Sequence, residues 1–360
     1  MSARTVSARF ILLAPLAMTS ATSACRNAEP AEDLLPQWSY DSTMVFPAAR
    51  GLAKPEDGVA LPDGRLLVRD AASGLRLIDA DGTSRPFGDM VAAGYVYDPP
   101  SREGGANGVS LEPDGAHVLV TDMEGCAIYR VNVTTGAARK IFQHRYGINA
   151  AIRDSRGTIW FTQSAHNTPE TGMGAMWAAV DAGVAQGALL RLPMDGDIPA
   201  GEPTIVLDSV VFANGVAIDE RNSFLYVSEM MANRVLRYRV DLATGALSER
   251  AVVLDGHAID NIEIDETGTV WMVTPLTNEM ITLNPVTGET RSVFRLRVPE
   301  QDEMIAEFNR RGERGEPRLD LLGPGAWGLL PGFVTGVILT PRGNPVYLTG
   351  LGDALVRLER

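Results

Sequence analysis

The chain has only two cysteines, Cys25 and Cys126, and four histidines, His117, His144, His166 and His257. Two cysteines are too few for a disulfide-stapled scaffold. No His or Cys pair has the spacing of a zinc site. Basic residues are in deficit: 32 Lys and Arg stand against 45 Asp and Glu, a net charge of −13. That balance disfavours nucleic acid, whose phosphates call for a basic face. Past the N-terminus no stretch is long and apolar enough to span a bilayer. Nothing Pro-, Gly- or Ser-rich divides the chain, so one large domain is expected over 45–360 after an N-terminal segment, 26–44.

Residues 1–25 read as an export signal: Arg4 and Arg9 form a positive end, Phe10 to Met18 an apolar run, and small residues lead to Cys25. Thr22-Ser-Ala-Cys25 resembles a bacterial lipobox, with Cys25 as the lipidated first mature residue. The expected location is the periplasm or the outer membrane, with membrane contact only through that lipid. Cys126, after Gly125 in a strand-like run, reads as a buried structural thiol.

What the chain does have is a repeat. Pro62-Asp-Gly64, Pro113-Asp-Gly115, Ser155-Arg-Gly157, Arg221-Asn-Ser223, Glu266-Thr-Gly268 and Pro341-Arg-Gly343 each lead into a short apolar run such as Phe224-Leu-Tyr-Val227. Such turns between β-rich runs are hairpin signals. Their spacing fits four-stranded propeller blades of about 40–50 residues, with insertions near 164–200 and 298–326. Eight or nine positions before each turn stand Glu56, Asn107, Asn149, Asn214, Asp260 and, in a degenerate sixth repeat, Thr335. Equal offsets mean equivalent places. A radial arrangement would bring five oxygen-bearing side chains to one axis, which a two-sheet sandwich would not explain. The expected fold is all-β, a six-bladed β-propeller that leaves only short sheet edges.

Carboxylates and amides are hard oxygen donors. The mix of Glu56 and Asp260 with several Asn favours Ca²⁺, leaving Mn²⁺ or Zn²⁺ substitution open. Two positions carry doubled polar neighbours, Glu56-Asp57 and Asp260-Asn261. In the first insertion, Gly172-Met-Gly-Ala-Met-Trp-Ala-Ala-Val180 is short, apolar and bears Met and Trp. There Met173, Met176 and Trp177, with Met230 and Met231, would line an apolar entrance suited to varied ligands. The second insertion, Pro299 to Arg311, reads as an amphipathic helix with Met304, Ile305 and Phe308 on one face.

Phe212-Ala-Asn-Gly-Val-Ala-Ile-Asp219 and Ile259-Asp-Asn-Ile-Glu-Ile-Asp265 resemble segments of the six-bladed propeller superfamily of paraoxonases, gluconolactonases and diisopropyl fluorophosphatase, in the paraoxonase version more than the gluconolactonase one. The resemblance extends over most of residues 45–360, and it implies a short helical insertion near the channel mouth at 172–180. It implies a catalytic calcium held by Glu56, Asn149, Asn214, Asp260 and Asn261, and hydrolysis of a small-molecule lactone or ester. Asp57 matches the carboxylate of a second, structural calcium in paraoxonases, but its expected partner after Asn149 is Ala150 here. Where paraoxonases have a histidine pair this chain has Asn107 and Asp122. Asp260 is then the expected base or nucleophile, and Asn107 a rim residue that orients substrate or water or completes the metal shell. His144 and His257 are secondary candidates. The apolar entrance points to an amphiphilic lactone or ester rather than a bare sugar lactone. A non-catalytic binding propeller, a phosphotriesterase and a strictosidine-synthase-like condensing enzyme are the alternatives.

Overall fold

The computed structural model describes residues 36–360 apart from 297, 324 and 342. The segment expected to be an export signal, with Cys25, lies outside the described residues, as does Arg342 of the sixth turn. Six four-stranded antiparallel sheets follow one another along the chain. Their first strands are Gly58–Ala60, Ala106–Leu111, Ala151–Arg153, Ala213–Asp219, Ile262–Ile264 and Val334–Leu339. Each first strand touches the first strands of the blades on either side, so the six close a ring about one axis. The expected six-bladed propeller is thus the observed fold.

Blades bury both faces of their strands against neighbours. Leu67, Leu75 and Leu77 of the first blade pack on Val118, Val120 and Tyr129 of the second, all essentially inaccessible. This is why the strands read as continuous apolar runs instead of alternating ones. Hairpin turns are held by acidic caps. Asp154 accepts hydrogen bonds from Arg156 N (3.0 Å), Thr158 N (2.9 Å) and Trp160 Nε1 (2.8 Å). Asp265 does the same two blades on, for Thr267 N, Thr269 N and Trp271 Nε1. The last blade is completed from the other end of the domain: Val45–Phe46 pairs with Leu355–Leu358 as its outer strand. Phe46 packs there against Tyr347.

Both insertions carry helices. Helix α1 (Gly172–Ala182) lies between the second and third strands of the third blade. Helix α2 (Pro299–Arg314) joins the fifth blade to the sixth and ends at Gly315 in the left-handed region, φ 65°. The apolar face of α2 reaches a cluster formed by Met176 and Val180 of α1 with Met123, Phe212, Met230 and Leu276.

Candidate metal centre and its apolar cavity

The repeated polar residues stand where the first strands begin, at one end of the axis. Backbone there is packed too closely for side chains pointing sideways. A Cβ at Gly108 would lie 2.9 Å from Asn149 O, and one at Gly215 2.7 Å from Asp260 O. Glycine after Asn107 and after Asn214 is what lets adjacent blades meet. A further equivalent position, on the second strands, carries hydroxyls that bond the next blade. Thr121 Oγ1 donates to Asn149 O (2.5 Å), Thr162 Oγ1 to Asn214 O (2.6 Å) and Thr349 Oγ1 to Glu56 O (2.6 Å). Ser228 Oγ donates to Ile259 O. These hydroxyls fix the backbone from which the polar side chains project.

Glu56, Asn107, Asn149, Asn214, Asp260 and Thr335 all line one cavity of about 430 Å³. Asn261 is buried beside it but is not part of the lining. Asn107, Asn149, Asn214, Asp260 and Asn261 are each 5 % exposed or less, which leaves bulk water little role in satisfying them. Some are satisfied internally: Asn107 Nδ2 donates to Asn149 Oδ1 (3.0 Å), and Asn149 Nδ2 to Ser164 Oγ (3.0 Å). Asn214 Oδ1 and Asp260 Oδ1 have no hydrogen-bond partner, and neither does Asn261 Nδ2. Unpaired buried acceptors are costly, and a buried carboxylate more so.

The electrostatics follow. Burial holds the Asp260 carboxyl far above the usual carboxylate range, and the negative charge of Glu56 adds to that. Glu56 is also raised by burial, against the pull of Arg69 and Lys54. Arg69 is itself buried, and its donors go to backbone: Ala53 O (3.2 Å), Lys54 O (2.8 Å), Gly104 O (3.1 Å) and Ala106 O. It offers charge through space without bonding either carboxylate. Asp57 clips the first blade to the second, accepting from Gly58 N and Val109 N at 2.8 Å each. Burial still pushes it to about 7. The buried Asp260 and the half-buried Glu56, with unpartnered amide and carboxylate oxygens beside them, are a donor set that fits a hard divalent cation.

Met173, Met176, Trp177, Met230 and Met231 all line the same cavity. So do Phe308 of α2, Leu319, Leu322 and Phe333, which the sequence reading did not assign to the site. The amphipathic face of α2 carried a signal for Phe308. Arg69 carried none, because an arginine inside an apolar strand run gives no sign of which way it faces. None of the four histidines is among the lining residues. His144 Nε2 pairs with Gln163 Oε1 (3.1 Å), and His257 Nδ1 stands 4.0 Å from Glu279. Asp122 faces the Glu124–Gly125 turn, accepting both backbone N–H groups. Glu112, Asp114 and His117 form another compact acidic cluster, but Arg130 bridges Glu112 and Asp114 there as an ion-pair network. Cys126 is buried and free, its thiol pushed up to about 12 by burial.

Solved structures with this fold include a gluconolactonase of Xanthomonas campestris, 16 % identical over 92 % of this chain and 96 % of that one, TM-score 0.59. A calcium-binding regucalcin of Agrobacterium tumefaciens is 12 % identical over 87 % and 92 %, TM-score 0.57. A luciferin-regenerating enzyme is 14 % identical over 88 % and 95 %, TM-score 0.56. Among curated proteins none matches the sequence. The model of the SMP-30/gluconolactonase/LRE-like region matches residues 94–305. With more than half its length matched, the chain belongs to the SMP-30/gluconolactonase/LRE-like family.

Proposed function

We propose that this protein is a calcium-dependent hydrolase that opens a lactone or cleaves a carboxylic ester. The observation that carries the reading is the pair of carboxylates, Glu56 and Asp260, set with unpartnered Asn214 and Asp260 oxygens in the lining of a largely apolar cavity. Family membership supports the lactone class. The regucalcin neighbour, titled a calcium-binding protein, supports the choice of cation.

Glu56, Asn149, Asn214, Asp260 and Asn261 would hold the cation. When bound, calcium supplies a Lewis acid for the carbonyl oxygen and stabilises the charge that develops there. The chain supplies the rest. Asp260 would take a proton from the attacking water through the carboxylate oxygen that the cation leaves free, and return it to the leaving alkoxide oxygen. Asn107, spent on Asn149 through its Nδ2, orients that amide. The apolar wall seats the non-reacting part of the substrate and excludes stray water.

Replacing Glu56 by glutamine removes one of the two negative charges and keeps the shape. The Kd for calcium, measured by isothermal titration, is expected to rise at least about tenfold, the order expected for losing one close charge interaction. Hydrolysis should fall at limiting calcium and recover in excess. An unchanged Kd would remove Glu56 from the shell.

A further inference from the structure

The two insertions that interrupt the blade pattern meet on one buried side chain, Arg318, which is 4 % exposed. Its Nε and Nη2 donate to Val180 O at 3.1 and 2.9 Å. That carbonyl belongs to the last turn of α1, where the helix leaves acceptors unpaired and favours a cation. Asp181 of α1 reciprocates, its Oδ1 accepting from Arg318 N and from Leu319 N (2.9 Å). The guanidinium lies 4.6 Å over the ring of Phe308 in α2. One turn further along α2 is Gly312, where an added Cβ would stand 2.1 Å from Arg318 Nη1. A glycine inside a helix weakens it; here it makes the space that the guanidinium fills.

What Arg318 ties together is the roof of the cavity: Met173, Met176 and Val180 from α1, Phe308 from α2, then Leu319 and Leu322. These six side chains offer no N–H or O–H group; Trp177 of α1, in the same lining and 42 % exposed, brings an indole N–H beside them. The cavity's charged side chains, Glu56, Asp260, Arg69, Lys54 and Glu103, belong to other parts of the lining. A polyhydroxylated substrate would leave hydroxyls unpaired against that roof. An unbranched alkyl chain would gain about fourfold in affinity for each methylene it buries, and Met and Leu side chains adapt to its bends.

We propose that Arg318 is a positioning residue that fixes the substrate class. By clasping α1, α2 and the 319–322 turn, it forms a compartment for the unbranched aliphatic chain of an acyl or alkyl-substituted lactone or ester. The inference rests on the hydrolase reading for its reaction and on the roof alone for its binding.

The test is equilibrium binding of straight-chain alcohols, butanol to decanol, followed by tryptophan fluorescence on the calcium-loaded protein. In the natural protein, affinity rises about fourfold per methylene until the roof is filled. In Arg318→Ala and in Gly312→Ala the ratio of decanol to butanol affinity falls at least tenfold. Arg318→Lys, which keeps one donor for Val180 O, falls between. Kinetically, the KM of a decanoyl ester rises in both alanine variants far more than the KM of the acetyl ester. Gly312→Ala decides alone if Arg318→Ala does not fold, because it evicts the guanidinium from a helix it otherwise strengthens. A flat alcohol series, or an unchanged ratio in folded variants, overturns the proposal. Chain-length-dependent binding with no hydrolysis of any lactone would leave the compartment standing and remove the hydrolase reading. Calcium-dependent lactone opening with a flat series would do the reverse.

Discussion

Replacing Asp260 by asparagine is expected to lower kcat by about a thousandfold or more, the scale of a lost general base, with the fold intact. The substitution keeps size and burial but removes both the negative charge and the proton acceptor. Asp260 is 5 % exposed and its Oδ1 meets no hydrogen-bond donor; the asparagine amide keeps an oxygen that can accept from Asn214, whose hydrogen bond favours the Asp260 carboxylate in the natural protein. The fold should tolerate it, and the circular dichroism spectrum should be unchanged. Because Asp260 is also a proposed ligand, the rate is to be read at calcium concentrations that saturate the variant. A variant that retains a tenth of the natural rate when saturated would show that another group moves the proton.

The second large effect is on stability, and its sign follows from the buried acids. Asp57 is pushed up to about 7, and Glu56, Asp260 and Glu263 are raised as well, burial being the first cause in each. A carboxyl whose folded pKa exceeds its unfolded value binds its proton more tightly in the folded state. Its contribution is complete below the unfolded pKa and is lost as pH rises through the folded one. The cation-free protein should therefore lose a few kcal/mol between roughly pH 5 and pH 8. For a domain of this size that is a fall in Tm of roughly 5–10 °C.

Calcium acts against this loss by favouring the ionised carboxylates, so the Tm gained on adding calcium should grow with pH across the same window. Reading the gain, rather than either Tm alone, cancels groups remote from the site. One of these is His144, whose burial lowers its pKa and works in the opposite sense. Scanning calorimetry at both pH values, chelated and calcium-saturated, checks it. A calcium-induced shift that is equal at the two pH values, or larger at the acid one, would contradict the electrostatic account.

Much of the fold was legible because its signals are local. A turn such as Pro113-Asp114-Gly115 fixes where a hairpin bends, and a fixed offset back from it finds the start of the innermost strand, where Asn107 stands. Closure was not legible. Val45–Phe46 is a two-residue strand whose partner, Leu355–Leu358, is at the other end of the domain, and no short-range pattern announces that pairing. The polar end of the site could be read from repetition, since Glu56, Asn149, Asn214 and Asp260 occupy equivalent positions. The roof could be read only in part. Met173, Met176 and Trp177 stood out as an apolar run in an insertion, whereas Leu319 and Leu322 reach the cavity from a single short 3-10 turn and Phe333 from irregular chain. The family assignment shows the same division. The segments around Asn214 and Asp260 read as paraoxonase-like in sequence, whereas the family model that matches 94–305 is that of the SMP-30/gluconolactonase/LRE-like region.

Proton release from a panel of aliphatic, aromatic and sugar lactones tests the central claim most directly. It is to be run on the purified protein, after chelation, and after calcium is restored. The account predicts hydrolysis that disappears on chelation and returns with calcium, fastest on lactones bearing an aliphatic chain. Hydrolysis that survives complete chelation, or none under any condition with calcium demonstrably bound, would contradict it.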